Sequence, residues 1–231
     1  MKTALVTGAS RGIGRELAKI LAANQIRVFA TGRDAALLNT LREETGCFAA
    51  PCDLADPEQV LALWQAAHAA LGGRIDILVN NAGFNSRKAP LAETTLEEFE
   101  AQYAVNLRAP YLLAREALKA MAAAGSGHIV NILSSCVHYA NETMGVYTTM
   151  KHALHGLTAV LRKEARPHNV KVTAVYPGGT DTEFRPNPRP NPRPDYLAAT
   201  SAATMIAGAI FAPADVAVHD LTFRPLVESN F

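Results

Sequence analysis

The sequence predicts an α/β fold, a doubly wound parallel sheet with helices on both faces in three layers (α/β/α). Short apolar runs of strand length alternate with segments of helical period along the whole chain. Most of these runs are apolar at successive positions, as in strands that are buried on both faces. A glycine-rich turn joins the first run to the first helical segment, which is where such sheets bind ligands. With neither a linker nor a repeat in its 231 residues, the chain is predicted to form one domain, 1–231.

The first half of the chain predicts four strands and three helices. The strands are predicted at 3–7 (TALVT), 26–31 (IRVFAT), about 47–50 and 74–80 (RIDILVN). Helices are predicted over GRELAKILAAN, over 34–44 and from DPEQ onward. Asp56 is placed to cap the third helix with Pro57 at its first position, and Asp34 serves the second helix in the same way.

The second half continues the alternation. Thr95 and Glu98 form a capping box for a long helix that runs to about Met121. The strand HIVNIL, a helix from about 145 to 166 and the strand VKVTAVY follow. The series ends with a helix near 201–211 and a strand near 218–223.

Composition excludes several classes of protein. The chain is 49% hydrophobic and 19% charged with a net charge of +1, so nothing in it favours nucleic acid or an anionic membrane as a partner. Three cysteines fit no zinc spacing and are predicted to be free thiols. No apolar run reaches membrane-spanning length, so a cytoplasmic location is expected. His152 and His155 lack further ligands at metal-binding spacing, and no metal is expected.

The turn TGASRGIG, from Thr7 to Gly14, predicts a phosphate-binding loop. Gly8 permits a tight turn, Gly12 lets the backbone approach a pyrophosphate, and Gly14 allows close packing of helix on strand. The helix N-terminus would supply N–H groups to the phosphates. The alternative is a glycine-rich turn without a ligand, which the position of this turn at the first strand–helix junction disfavours.

The end of the second strand favours NADP over NAD. An acidic residue here would bind the adenosine ribose, but the sequence has Gly32 followed by Arg33. With Arg11 in the glycine loop, two guanidiniums could bind a 2′-phosphate. The alternative is that Arg33 is a solvated loop residue.

Three further places carry candidate chemistry. Tyr147 and Lys151 in YTTMK lie four apart on one helical face, where an ammonium favours the phenolate that acid/base catalysis needs. Ser134 follows a strand, where doubly wound folds bind ligands. Asn106 lies four residues before Pro110, which lacks the N–H that the Asn106 carbonyl would accept, so that carbonyl could hold a bridging water. The alternatives are a surface coincidence for the pair and a helix kink for the proline.

These motifs, with NNAG (Asn80 to Gly83) and PGGTDT (Pro177 to Thr182), occur in the order and spacing of the short-chain dehydrogenase/reductases, and the whole chain resembles that family. The resemblance implies a Rossmann fold, with Tyr147 transferring the proton and Lys151 holding the nicotinamide ribose while lowering the tyrosine pKa. It implies that Ser134 orients the substrate carbonyl and that Asn106 anchors a proton-relay water. An ungapped alignment selects Ser134 over Ser135.

The resemblance also implies cofactor contacts. Asp53 in CDL resembles the adenine contact, and Thr182 resembles the residue that bonds the nicotinamide carboxamide. The predicted NADP(H)-binding residues are Gly8, Ser10, Arg11, Gly12, Ile13, Gly14, Arg33, Asp53, Leu54, Asn80, Ala82, Gly83, Tyr147, Lys151, Pro177, Gly178, Thr180 and Thr182.

The expected reaction is reversible hydride transfer between NADP(H) and a carbonyl/secondary alcohol pair. The substrate-binding candidates are Ser134, His138, Tyr147 and Arg185, and the ending DLTFRP resembles a subgroup of small 3-hydroxy-acid dehydrogenases and carbonyl reductases. A small hydroxy or keto acid is the expected substrate, with a β-ketoacyl-acyl-carrier-protein reductase as the alternative. A non-catalytic NADP-sensing or interaction protein is the alternative of another class. The family pairs its long helices, so a homodimer or homotetramer is expected.

The segment FRPNPRPNPRPDY gives the predicted substrate lid, at about 183–196. Its proline repeats predict a semi-rigid, polyproline-like strap. Arg185, Arg189 and Arg193 could face an anionic substrate, or they could simply keep a solvated strap soluble.

Overall fold

The computed structural model describes residues 1–182 and 195–227, and its central sheet has seven strands that all run parallel. The strands are β1 Thr3–Thr7, β2 Arg27–Gly32, β3 Phe48–Pro51, β4 Ile77–Asn80, β5 Gly127–Ile132, β6 Val170–Pro177 and β9 Asp220–Phe223, while β7 Thr180–Asp181 and β8 Leu197–Ala198 pair separately. Their spatial order is β3-β2-β1-β4-β5-β6-β9. The first three strands are added toward one edge of the sheet and the remaining strands toward the other edge, so the winding changes between β1 and β4. The predicted doubly wound sheet is therefore confirmed, and its switch point lies where the glycine loop begins.

Seven α-helices connect or flank these strands in the described part of the chain. They are α1 Gly12–Ala23, α2 Ala35–Thr45, α3 Pro57–Ala70, α4 Leu96–Tyr103, α5 Ala109–Ala124, α6 Gly145–Ala165 and α7 Ala199–Ile210. Single 3₁₀ turns occur at Leu91–Glu93, Ser135–Val137 and Arg166–His168. Each predicted strand and helix is present with bounds that differ by a few residues at their ends, except for the long helix after Thr95, which is interrupted.

Two hydrophobic cores lie on opposite faces of the sheet. Side chains alternate along a strand, so Ala4 and Val6 of β1 pack with α1, α2 and α7, whereas Leu5 packs with α3, α5 and α6. All five residues of β1 are buried. Burial on both faces explains why the strands read as apolar runs, and it confirms the three-layer arrangement.

The predicted helix caps are confirmed. The Asp34 carboxylate accepts a hydrogen bond from the Leu37 N–H at 3.0 Å, and the Asp56 carboxylate accepts one from the Glu58 N–H at 2.9 Å. Pro57 occupies the first position of α3. At the start of α4, Thr95 and Glu98 form the reciprocal capping box.

The long helix after Thr95 differs from the prediction of one continuous helix ending near Met121. Five residues of π-helix, Ala104–Arg108, separate α4 from α5, and the helix ends at Ala124 with Gly125 in the left-handed region (φ 67°). The Ala109 N–H bonds the Ala104 carbonyl, five residues back. Pro110 cannot donate in the α-helical ladder, and the wider turn directly precedes it. That the Asn106 carbonyl holds a water stays a prediction.

The proline- and arginine-rich segment lies largely outside the described residues, which omit 183–194. The predicted strap and the arginines 185, 189 and 193 are therefore not described. The described residues on either side contact one another: β7 pairs with β8, and the Tyr196 ring packs against Gly179. Cys47, Cys52 and Cys136 are buried free thiols, as predicted. Within residues 1–182 and 195–227, none of the helices has the length and apolar character needed to cross a bilayer.

Candidate active site

The turn after β1 is held by close backbone contacts. A Cβ on Gly14 would lie 2.4 Å from both the Gly8 carbonyl oxygen and the Asn81 Nδ2, so only glycine fits there. Gly8 has a φ of +65°, which glycine adopts without strain. Gly12 has a φ of +59° and lies against the Thr182 side chain. The close helix–strand packing predicted at Gly14 is therefore present.

Two residues that the sequence analysis did not select hold this turn against β4. The Asn81 amide donates to the carbonyls of Thr7 (2.9 Å) and Gly8 (3.1 Å). The Thr7 hydroxyl accepts from the N–H groups of Asn81 (3.0 Å) and Ala82 (3.1 Å). Both belong to quoted motifs, but bonds between a side chain and a distant backbone leave no sequence pattern.

The loop carrying Arg11 crosses the end of β2, which carries Arg33. The Ala9 N–H bonds the Thr31 carbonyl at 2.8 Å, and a Cβ on Gly32 would lie 2.9 Å from the Ser10 hydroxyl oxygen. Arg11 and Arg33 are both exposed, on adjacent loops at one edge of the sheet. Close packing against Ser10 thus explains why glycine occupies position 32. The two predicted cations, Arg11 and Arg33, belong to neighbouring segments.

The end of β3 continues this edge. The Cys52 N–H bonds the Gly32 carbonyl at 3.0 Å, which brings Asp53 and Leu54 beside the end of β2. Asp53 is exposed and accepts a hydrogen bond from the Ala55 N–H, whereas Leu54 is buried. An exposed carboxylate above a buried leucine is compatible with the predicted adenine contact.

Asn80 lies in the interior beneath the site. Its amide donates to the Asn131 side-chain oxygen at 2.9 Å, and the Asn131 amide donates to the Thr158 hydroxyl at 2.9 Å. All three residues are buried. The side chain of Asn80 thus joins β4, β5 and α6, while Ala82 and Gly83 continue toward the surface.

Lys151 is a buried lysine in the middle of the site. Its side chain is on α6, it is 3% exposed, and its Nζ donates to the Ile132 carbonyl at 2.9 Å. Burial lowers the pKa of Lys151 from about 10.5 to about 8, because desolvation penalises the ammonium. The Nζ lies 5.6 Å from the centre of the Tyr147 ring, on the same helical face. The predicted Tyr–Lys pair is thus brought together.

Asn106 lies beside the same lysine. It is fully buried in the π-helical segment, and its Oδ1 accepts from the Phe84 N–H at 3.0 Å while its Nδ2 donates to the Phe84 carbonyl at 2.8 Å. A Cβ on Gly83 would lie 2.7 Å from the Asn106 Oδ1 and 3.4 Å from the Lys151 Nζ. Gly83 therefore lets these two side chains approach one another.

Ser134 and Tyr147 approach the site from the two ends of one loop. The Ser134 hydroxyl, just after β5, accepts a hydrogen bond from the Cys136 N–H at 3.2 Å. Cys136 packs with Met144 and Tyr147 in a small buried cluster. Burial raises the pKa of the Cys136 thiol, so this cysteine packs rather than reacts.

His138 lies on a buried tyrosine at the edge of this loop. It is exposed, and its ring centre is 4.5 Å from that of Tyr176 in β6. The Tyr176 hydroxyl donates to the Asp220 carboxylate at 3.1 Å and lies 2.8 Å from the His155 Nδ1. Burial and the carboxylate raise the pKa of Tyr176 to about 12. His155 is a hydrogen-bond partner of Tyr176, while His152 is exposed.

The end of β6 completes the edge. The Gly178 N–H, after Pro177, bonds the Phe223 carbonyl at 2.8 Å, and the Thr180 hydroxyl donates to the Gly178 carbonyl. Thr182 then lies against Gly12. Arg185 is outside the described residues. Among the residues that the structure does describe, no group of three or more His, Cys, Asp or Glu could hold a metal ion.

The residues present fit a dinucleotide. In the described structure no side chain caps the N-terminus of α1 and its first turn carries no acidic residue, so its N–H groups remain available for phosphate. Gly8 and Gly12 have left-handed backbone beside this terminus, and Ile13 follows in its first turn. A dinucleotide laid from the two arginines to Lys151 would follow the carboxyl edge of the sheet.

Comparison with known proteins agrees with this geometry. The family model described as short chain dehydrogenase matches residues 2–193. L-xylulose reductase of Homo sapiens is 40% identical over 177 residues, covering 75% of this chain and 69% of the relative.

Two solved structures are similar over nearly the whole chain. An alcohol dehydrogenase from the archaeon Thermococcus sibiricus, complexed with 5-hydroxy-NADP, has a TM-score of 0.90 at 27% identity, covering 99% of this chain and 98% of the other. A metagenomic short-chain oxidoreductase in complex with NADP has a TM-score of 0.86 at 33% identity, covering 98% of each chain. This chain belongs to the short-chain dehydrogenase/reductase family of oxidoreductases.

Proposed function

We propose that the protein is an NADP(H)-dependent oxidoreductase that interconverts a carbonyl compound and a secondary alcohol. The observation that carries the proposal is the buried Lys151, with its Nζ fixed on the Ile132 carbonyl, beside Tyr147 and next to Asn106 across Gly83. Burying an ammonium away from water destabilises the fold, and a structural role alone does not require a lysine at this position.

The choice of cofactor rests on charge at the adenosine end. Arg11 and Arg33 lie on adjacent segments at the end of β2. An acidic residue at position 32 would exclude a 2′-phosphate, but this chain has Gly32 there, packed against Ser10. The two similar structures described above contain NADP or 5-hydroxy-NADP, which supports the same cofactor here.

Tyr147, Ser134 and Asn106 have one task each, and Lys151 has two. NADPH supplies the hydride when it is bound. Tyr147 donates a proton to the carbonyl oxygen, and the nearby Lys151 ammonium favours the phenolate that remains. Ser134 donates a hydrogen bond that orients the carbonyl, and Lys151 binds ribose hydroxyls. Asn106 anchors the water through which the tyrosine proton is replaced.

The proposed substrate pair is a small keto acid and the corresponding hydroxy acid. Its pocket lies between the Ser134–Tyr147 loop and residues 84–88, with the exposed His138 at the rim. The relative named L-xylulose reductase supports a small polyfunctional substrate. A homodimer or homotetramer remains expected, and Tyr111 of α5 and Val160 of α6 are exposed apolar residues that such an interface would cover.

The test is Tyr147→Phe, which removes only the hydroxyl. NADPH oxidation should fall by about 100- to 10,000-fold across a panel of keto acids, ketones and ketoses. NADPH binding, followed by fluorescence titration, should change by less than about twofold. Tyr103→Phe, on an exposed tyrosine at the end of α4, is the matched control and should keep its turnover. Retained turnover in Tyr147→Phe would overturn the assignment, and tight NADPH binding without turnover on any carbonyl would favour a sensor.

A further inference from the structure

Three side chains of one helical face hold the loop that follows NNAG. Glu98, Gln102 and Asn106 are spaced four residues apart along α4 and the π-helical segment, and they contact loop residues in reverse order. The Glu98 carboxylate bonds the Arg87 guanidinium at 2.7 and 3.3 Å, Gln102 bonds the Ser86 hydroxyl at 3.1 Å, and Asn106 bonds the Phe84 backbone. The loop is thus fixed along the helix at three levels.

Gln102 is the least explained of the three by stability. It is 1% exposed, and its Oε1 has no hydrogen-bond partner among residues 1–182 and 195–227. A buried amide with one unpaired end destabilises the fold relative to an apolar side chain of similar shape. Its bond to Ser86 therefore calls for a reason other than stability.

The loop connects the two sides of the candidate site. At one end Phe84 is bonded to Asn106, the proposed anchor of the relay water. At the other end the Ala89 N–H bonds the Thr143 carbonyl at 3.0 Å, within the loop that joins Ser134 to Tyr147. A shift of residues 84–88 would therefore displace both Asn106 and the opposite side of the pocket.

We propose that Gln102 is a positioning residue for the substrate site. Gln102 bonds Ser86, while Glu98 and Asn106, one helical turn to either side, bond Arg87 and Phe84. Together they hold residues 84–88 as a rigid wall against which the carbonyl substrate is placed. This proposal rests on the proposed function for its substrate, but not for the contact itself. It assigns Gln102 to placement of substrate rather than to the chemistry.

The test is Gln102→Met, with Ser86→Ala as a second variant that removes the same hydrogen bond from the other side. The KM for the best carbonyl substrate should rise about fivefold in each variant, while kcat should fall by a smaller factor, because the loop is also bonded to Asn106. The double variant should be no worse than Ser86→Ala alone, which also removes a contact with the Glu98 carboxylate, because the two substitutions share the Gln102–Ser86 hydrogen bond. The melting temperature of Gln102→Met should stay or rise, since an unpaired buried oxygen is removed.

A readout without substrate separates this proposal from the proposed function. Hydrogen exchange of the Phe84 amide should become about fivefold faster in both variants. Glu116→Gln, which removes the ion pair with Lys119 on α5, is the control for a lost helix contact. It should change neither the KM nor the exchange rate of the Phe84 amide. The proposal would be overturned by an unchanged exchange rate of the Phe84 amide or by an unchanged KM. It would also be overturned if the rise in KM in Gln102→Met came with a lower melting temperature. If no carbonyl is turned over, the proposed function fails and the exchange result still decides the positioning role.

Discussion

The nucleotide end and the substrate end of this site are built in different ways. At the nucleotide end, glycines let backbone approach backbone, as where Gly14 meets the Gly8 carbonyl, and the short Asn81 side chain packs into the same turn. At the substrate end, long side chains make the contacts, as in the pairs Arg87–Glu98 and Gln102–Ser86. The first end requires glycine at particular positions such as Gly8 and Gly14, whereas the second tolerates many solutions.

This difference explains what each end can do. A phosphate is recognised by N–H groups at a helix terminus, so the loop must be fixed in one shape. A substrate is recognised by side chains mounted on that scaffold, so the fold can keep its chemistry while the pocket changes. Variants at the two ends should accordingly fail in different ways.

The largest effect is expected at the nucleotide end from Gly14→Ala. The added Cβ would lie 2.4 Å from the Gly8 carbonyl oxygen, where backbone cannot move away, and overpacking of this kind costs about 1–3 kcal/mol. NADPH affinity should fall more than about 100-fold as the loop shifts, measured by titration calorimetry. Gly208→Ala, in α7 with open space at the Cβ position, is the matched control and should bind normally. Normal affinity in Gly14→Ala would show that the loop is not held as described.

The next effect concerns Lys151, where the two ends meet. Because the folded protein holds the pKa of Lys151 near 8 and the unfolded chain near 10.5, burying the ammonium costs about 3 kcal/mol below pH 8. The unfolding free energy of the NADPH-free protein should therefore rise between pH 8 and 10.5. Relative to the wild type, Lys151→Met should be more stable below pH 8 and lose that advantage by pH 10.5.

Chemical denaturation at several pH values measures this difference. Lys119→Met, on the surface of α5, is the control. A stability difference between Lys151→Met and the wild type that stays constant over this range would show that the buried amine carries no such penalty.

A smaller effect on NADPH binding is expected from Arg11 and Arg33, which lie at the nucleotide end but would contact the cofactor through their side chains. Arg11→Ala and Arg33→Ala should each weaken NADPH binding about 10- to 100-fold, as for a hydrogen bond to a charged group, and leave NADH binding nearly unchanged. Arg42→Ala, exposed at the end of α2, should affect neither cofactor. A wild-type protein that prefers NADH would contradict the cofactor assignment altogether.

The same contrast accounts for what the sequence could predict. The alternation of strands and helices, caps such as Asp34 and the glycine turn follow from local patterns, because few residue types satisfy those backbone geometries. Ser134, Tyr147 and Lys151 could be selected from their spacing and the family resemblance. Asn81, Gln102 and Tyr176 could not, since their partners are distant in sequence and many residue pairs make such contacts. The π-helical segment was missed because a proline predicts an interruption but not its form.

The buried chain from Asn80 through Asn131 to Thr158 has a consequence for folding. Parallel strands made of apolar runs carry little information about register, because a slip by two residues still buries hydrophobic side chains. Asn80 and Asn131 face each other across β4 and β5, and a slip would leave their amides unpaired in the core. The same chain contacts α6, so the register that pairs these amides is also the one in which Lys151 reaches the Ile132 carbonyl.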